Sequence, residues 1–448
     1  EREAQQEIDY RRMYGQMAKW VAQIDRPERV PEMVSHAFHL AVSGRPGPVV
    51  LALPEDMLGA TATVADTARY QRVAAHPSAA DMNGLRDMLA QARQPFLMLG
   101  GGGWNAQACA DIQAFAEANA LPVGCTYRCQ DLLDNRHPNY VGDIAVGLNP
   151  ALERRIRNAD LLLVVGPRLG SWTTVHYTLI DVPRPQQKLI HVHAGAEELG
   201  RVYQGDLLIN SGMPEFAVMA RSLAPVTATW ADATKAARAE YEVWQKPVPM
   251  PGALNLSVVM AFLRQRLPPE TIVTCGAGAY IVWVHRFYQF RGFRTQLGPT
   301  SGAMGYGVPS AVAAKLVHPE RAVVSFSGDG CFLMNGQELA TAAKYKAKVI
   351  FVVVNNGIYG AIRIHQEMHH PGRIIGTDLC NPDFAALAHA YGLHGEVVEK
   401  SADFAPAFER AWNAKTAALL ELKIDPDAIS PRTTLSAIRA EALKAKHR

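Results

Sequence analysis

Two apolar runs that end in polar punctuation constrain this chain most. Ala322–Phe326 and Val349–Val354 are short and mostly apolar, so each reads as a strand buried on both faces. The first ends in Gly328-Asp329-Gly330 and the second in Asn355-Asn356-Gly357. Between them, Gln337–Tyr345 reads as a helix. Strand, helix and strand form one βαβ unit, whose right-handed crossover makes the two strands parallel. Parallel strands end on one edge of the sheet, where open α/β sheets bind ligands. Asp329 and Asn356 are therefore expected side by side.

That pair has a definite chemistry. Asp329 offers a carboxylate, Asn356 an amide oxygen, and the carbonyl of Ile358 can turn inward after Gly357. Three oxygens leave about three places on an octahedral ion, which Mg²⁺ commonly fills with phosphate oxygens and water. Gly328 and Gly330 remove side chains so that backbone N–H groups can approach those phosphates. Either turn alone is ordinary loop chemistry. Together, on the tips of two parallel strands, they point to a diphosphate bridged through Mg²⁺.

At 448 residues the chain exceeds one ordinary core. Three α/β stretches are read from element order, all of them parallel-sheet domains. Residues 1–75 hold a helix (Pro31–Ala41) and one strand (Val49–Leu53), too little for a sheet, and resemble the end of a larger domain. Residues 78–222 alternate strands (Phe96–Leu99, Leu161–Val165, Leu189–Val192) with helices such as Ala106–Ala118, a Rossmann-like order. A linker over 223–252 leads to residues 253–448, which open with a helix (Ser257–Leu267) and a strand (Thr271–Cys275).

Composition narrows the partners. Apolar residues make up 48% and charged residues 19%, and 45 basic residues stand against 42 acidic ones. That near balance argues against nucleic acid and membrane surfaces. No run of 18 apolar residues occurs, and the charged start, "EREAQQEIDYRR", is no signal peptide. Six cysteines without a CxxC pair suit a reducing, cytoplasmic setting, and nothing near Cys125 and Cys129 completes a metal site.

The motifs resemble those of a known family. "GDG", the 24 residues 331–354 and then "NN" resemble the thiamin-diphosphate fingerprint. "PTSGAMGYGVPSAVAAK" (299–315) is similar to the segment before it in acetolactate-synthase-type enzymes. "SGRPGPVVLALPEDM" (43–57) resembles the end of their pyrimidine-binding domain, and "KLIHVHAGAEELGR" (188–201) the end of their central domain. The resemblance implies that Asp329, Asn356 and the Ile358 carbonyl hold Mg²⁺. It also implies that Gly328, Gly330, Cys331 and Tyr359 lie at the diphosphate. Met304 matches the residue that wedges the coenzyme into a bent shape, and the Gly302 carbonyl would accept from its aminopyrimidine. The activity implied is decarboxylation and carboligation of a 2-oxo acid, in a homodimer or homotetramer.

The chain also departs from the pattern. The family's glutamate, which drives the aminopyrimidine, has no counterpart among Glu1, Glu3, Glu7, Glu28, Glu32 and Glu55. By the family's layout about a hundred leading residues are absent. The sequence is therefore expected to be a fragment with low activity, and residues 1–30 to be disordered or altered in packing. A non-ligating lyase and a non-catalytic scaffold are the alternatives. Ala279-Tyr280 replaces the family's Gln-His, and His365 stands where a substrate-side Trp is usual and could serve as an acid or base. Gly100–Gly103 and Arg168 match features of FAD-binding relatives, but "VGDIAVG" (141–147) and His193 depart from theirs, which argues against FAD. The segment 280–293, "YIVWVHRFYQFRGF", is read either as part of a subunit interface or as an amphipathic helix.

Overall fold

Every strand of the fold pairs in parallel, and the strands sort into three sheets. The computed structural model describes residues 4–446. The first sheet has two strands, β1 (Trp20–Gln23) and β2 (Val49–Ala52), joined through the helix Val30–Val42. The sequence reading placed one strand here; β1 was missed because four residues flanked by polar chain carry little periodicity. Residues 10–14 are helical and residues 20–23 pair with β2 in register. Residues 1–3 of the segment 1–30, expected to be disordered or altered in packing, lie outside the described residues.

The central sheet contains β3 (Pro95–Leu99), β4 (Val123–Thr126), β5 (Tyr140–Ile144), β6 (Leu161–Val165), β7 (Lys188–His193) and β8 (Leu207–Asn210). Their spatial order, β5-β4-β3-β6-β7-β8, is that of a dinucleotide-binding fold. β6, "LLLVV", is buried at every residue because helices cover both faces of the sheet.

The third sheet contains β9 (Ile272–Cys275), β10 (Gln296–Leu297), β11 (Val323–Gly328), β12 (Ile350–Asn355), β13 (His394–Val398) and β14 (Ala418–Lys423). Its order is β10-β9-β11-β12-β14-β13, so the ends of β9, β11 and β12 lie side by side on one edge. One apolar cluster packs below this sheet around Trp283, Phe326 and Phe408, and another above it around Phe332, Phe351 and Phe384.

The central and third sheets are docked by polar contacts. Asp131, 8% exposed, accepts from the N–H groups of Thr295 (3.1 Å) and Gln296 (3.3 Å). Burial raises its pKa to about 6, against the lowering pull of those backbone donors. Asn135 and Phe290 exchange two hydrogen bonds, at 2.8 and 2.9 Å. The segment 280–293 sits in this junction. Its helix, Ile281–Phe287, is buried at all seven residues, so it has no polar outer face and is not an amphipathic surface helix.

Candidate functional site

At the end of β11 the chain turns directly into a helix. Gly328 caps Asp329–Asn335, a short 3₁₀ turn follows at Gly336–Glu338, and the second helix is Leu339–Lys344. The reading of one helix over Gln337–Tyr345 is corrected by this extra turn. Phe332, 1% exposed, draws it down onto Phe384 with ring centroids 5.3 Å apart.

The two loop tips meet. The Asp329 carboxylate is 3% exposed, and its Oδ2 accepts from the Gly357 N–H (2.8 Å) and from Asn381 Nδ2 (2.8 Å). Its Oδ1 accepts from the Gly330 N–H at 2.9 Å. Gly357 reaches this position at φ +68°, a conformation open to glycine at little cost. Burial raises the pKa of Asp329, the donated hydrogen bonds lower it, and no cationic side chain contributes among the described residues. Asn356 Oδ1 accepts from the Ile358 N–H at 3.3 Å, and Ile358 is buried against residue 378 across a β-bridge.

A second layer holds these tips, and the sequence reading did not find it. Glu421 on β14, 1% exposed, accepts from Asn355 Nδ2 at 2.7 Å. Asn355 Oδ1 in turn accepts from the Gly357 N–H (3.0 Å) and from Asn381 Nδ2 (2.9 Å). Both contacts of the Asn381 amide nitrogen are to acceptors, so its orientation is fixed. Its Oδ1 is buried and has no partner. A buried carboxylate without a cation, beside a buried orphan amide oxygen, is a setting that favours a hard cation. Among the described residues no three His, Cys, Asp or Glu side chains cluster as metal ligands, so a cation here would rest on one carboxylate with amide and carbonyl oxygens.

Three further loops close on the same edge. A Cβ on Gly330 would lie 2.5 Å from Tyr359 Cε1, and one on Gly276, after β9, only 2.2 Å from Cys331 Sγ. Cys331 Sγ also accepts from the Gly305 N–H at 3.2 Å. Gly302 and Gly305 take φ of +72° and +87°, and between them Met304 is 39% exposed. Met304 is thus not a core-filling residue. The structure therefore gathers the segments carrying Gly302, Met304, Gly328, Asp329, Gly330, Cys331, Asn356, Ile358 and Tyr359.

Other candidates lie apart or are engaged elsewhere. Tyr280 donates from its hydroxyl to the Phe326 carbonyl (3.0 Å), so it is committed to the strand end. His365 is exposed on the helix Gly360–His369, its ring stacked on His369 with centroids 6.2 Å apart. In the central domain, a Cβ on Gly101 would lie 2.0 Å from the Gly166 carbonyl oxygen. The glycines of 100–103 thus let the loops after β3 and β6 touch. Arg168 faces Glu198 at 3.4 Å, a carboxylate shared with Arg45 and Arg201. Burial pushes the Cys129 thiol up to about 12 and raises the Cys125 thiol as well, which disfavours thiolate ligands.

Two family models and several known proteins match this chain. Residues 276–422 match the family described as thiamine pyrophosphate enzyme, C-terminal TPP binding domain, and residues 82–218 match the central domain of the same enzymes. The acetolactate synthase large subunit of Corynebacterium glutamicum is 30% identical over 429 residues, covering 91% of this chain and 67% of that protein. The isozyme 2 large subunit of Escherichia coli is 28% identical over 431 residues (94% and 76%). A probable acetolactate synthase large subunit of Methanocaldococcus jannaschii is 27% identical over 447 residues (95% and 74%). No helix among the described residues is long and apolar enough to cross a membrane. The chain belongs to the thiamin-diphosphate-dependent enzyme family and is an enzyme of its acetolactate-synthase-like group.

Proposed function

We propose that this enzyme binds thiamin diphosphate through Mg²⁺ at the Asp329 edge and acts on a 2-oxo acid by decarboxylation and carboligation. The observation that carries the reading is the buried Asp329 carboxylate, unpaired with a cationic side chain among the described residues and flanked by the orphan Asn381 Oδ1. Asp329, Asn356 and the Ile358 carbonyl would hold the metal. The Cys331 N–H would face the diphosphate, while that of Gly330 is already bonded to Asp329. Gly328 leaves the approach open, and Tyr359 flanks it. Met304 would wedge the coenzyme, and the Gly302 carbonyl would accept from its aminopyrimidine. Bound there, thiamin diphosphate supplies a nucleophilic carbon able to break the bond between a carbonyl and its carboxylate.

The chain's own residues would position the metal and the coenzyme. Asp329 would offset the metal's charge, and Glu421 and Asn355 keep the Gly357 turn in place. His365, exposed on the helix that begins one residue after Tyr359, is the candidate proton carrier. The functional unit would be a homodimer or homotetramer in the cytoplasm.

A second reading, a non-ligating lyase or decarboxylase, is favoured by Tyr280, whose hydroxyl is tied to Phe326 and cannot replace the family's histidine. Product analysis with pyruvate separates the two: acetolactate supports carboligation, and free aldehyde alone overturns it. Calorimetric titration with thiamin diphosphate, with and without Mg²⁺, tests the site itself. Binding that is indifferent to Mg²⁺ refutes the metal bridge.

A further inference from the structure

Among the described residues, the loop after β6 holds the longest run of consecutive non-glycine residues with positive φ. Val175, His176 and Tyr177 take φ of +49°, +56° and +63°, three successive non-glycine residues in left-handed conformation. Side chains with a Cβ resist this conformation, and runs of it persist only where the surroundings enforce them. Here Thr174, fully buried, enforces it. Its Oγ1 donates to the Gly170 carbonyl (2.9 Å) and accepts from the Tyr177 N–H (3.1 Å). Its carbonyl accepts from the Thr178 and Leu179 N–H groups, and the His176 N–H donates to the Ser171 carbonyl at 2.7 Å.

Trp172 lies within this loop, its ring 5.9 Å from that of His176. Its ring stacks on Tyr127, with centroids 5.3 Å apart and planes at 15°. Tyr127, 8% exposed, is fixed from two other directions. The Arg128 guanidinium lies 5.0 Å from its ring centre, and the His285 ring meets it edge-on at 5.7 Å. Arg128 in turn donates to the Gly276 carbonyl at 2.6 Å, just beyond the end of β9. The central domain thus extends a rigid aromatic stack to the ligand edge of the third sheet. Trp172 Cζ2 lies 3.5 Å, and the Tyr127 hydroxyl 4.0 Å, from where a Cβ on Gly302 would stand. No ring fits between Trp172 and Gly302 at that spacing, yet 39% of Trp172 stays open.

We propose that Trp172, backed by Tyr127, is a specificity-determining wall that takes a flat aromatic substituent of the 2-oxo acid in preference to a methyl group. The inference rests on the reading that the Gly302 edge holds the coenzyme. A preorganised indole loses little freedom on stacking a second ring, whereas a methyl group covers little of it.

The experiment uses phenylglyoxylate and pyruvate as probes on the wild type, Trp172→Leu and Trp172→Phe. Phenylglyoxylate should quench tryptophan fluorescence saturably in the wild type, pyruvate should not, and Trp172→Leu should lose the response. In turnover, Trp172→Leu should lower kcat/KM for phenylglyoxylate about tenfold through KM and leave pyruvate within about twofold. Trp172→Phe, which keeps a flat ring, should restore most of the difference. Equal quenching by the two acids, or an unchanged kcat/KM ratio in Trp172→Leu, overturns the proposal. The coenzyme titration is read separately in all three proteins. Its failure in the wild type refutes the coenzyme site, while the fluorescence response, which needs no turnover, still decides the fate of the wall.

Discussion

Replacing Asp329 by Asn separates the metal role of this carboxylate from its structural one. In the structure the carboxylate accepts three hydrogen bonds, from the Gly330 and Gly357 N–H groups and from Asn381 Nδ2, at 2.8–2.9 Å. An amide oxygen turned toward Gly357 and Asn381 keeps two of them and leaves Gly330 facing an NH₂ group. Losing that bond costs about 1–3 kcal/mol. Removing a buried charge works in the opposite direction, because burial raises the pKa of Asp329. The ligand-free variant should therefore stay folded, with a Tm within several degrees of the wild type. The ligand response should differ sharply. At a hundred times Kd, a ligand that binds only the folded state stabilises it by about 2.7 kcal/mol. For a domain of this size that is a rise in Tm of roughly 5–10 °C. Scanning fluorimetry with thiamin diphosphate and Mg²⁺ should show this rise in the wild type, abolished by EDTA, and none in Asp329→Asn. A variant that keeps an EDTA-sensitive rise of similar size would falsify the metal assignment.

The other predictions probe the supports of the site. In Gly330→Ala the new Cβ meets Tyr359 Cε1 at 2.5 Å, so Tm should fall by the equivalent of about 1–3 kcal/mol, with weaker coenzyme binding; an unchanged melting curve counts against the tight packing. Asp131 has a folded pKa of about 6, above its ordinary value of 3.8, so the fold favours its protonated form. That contribution is present below the ordinary value and is lost as pH rises through about 6, to a total of about 3 kcal/mol. Asp131→Asn should flatten the dependence of Tm on pH between about 4 and 7, and an identical slope in both proteins rejects the argument. If His365 carries a proton, His365→Ala should lower kcat at least about a hundredfold without changing coenzyme affinity; a kcat within twofold of wild type removes it from the mechanism.

The strands and the edge they share were legible in the sequence because both are local matters. A run such as Leu161–Val165 can be buried on both faces only inside a covered parallel sheet, and a βαβ unit has one hand, so Asp329 and Asn356 had to emerge together. The partners that tie them down were not legible. Asn381 and Glu421 lie 52 and 66 residues from the groups they bind, on elements whose lateral order only the assembled sheet decides. Single polar residues carry no periodicity that would mark them out. The same holds for Trp172, Tyr127 and Arg128, which reach the edge from another domain. Their neighbours depend on how two sheets dock, through contacts such as Asn135 with Phe290, and docking is set by surfaces that exist only once each sheet has formed.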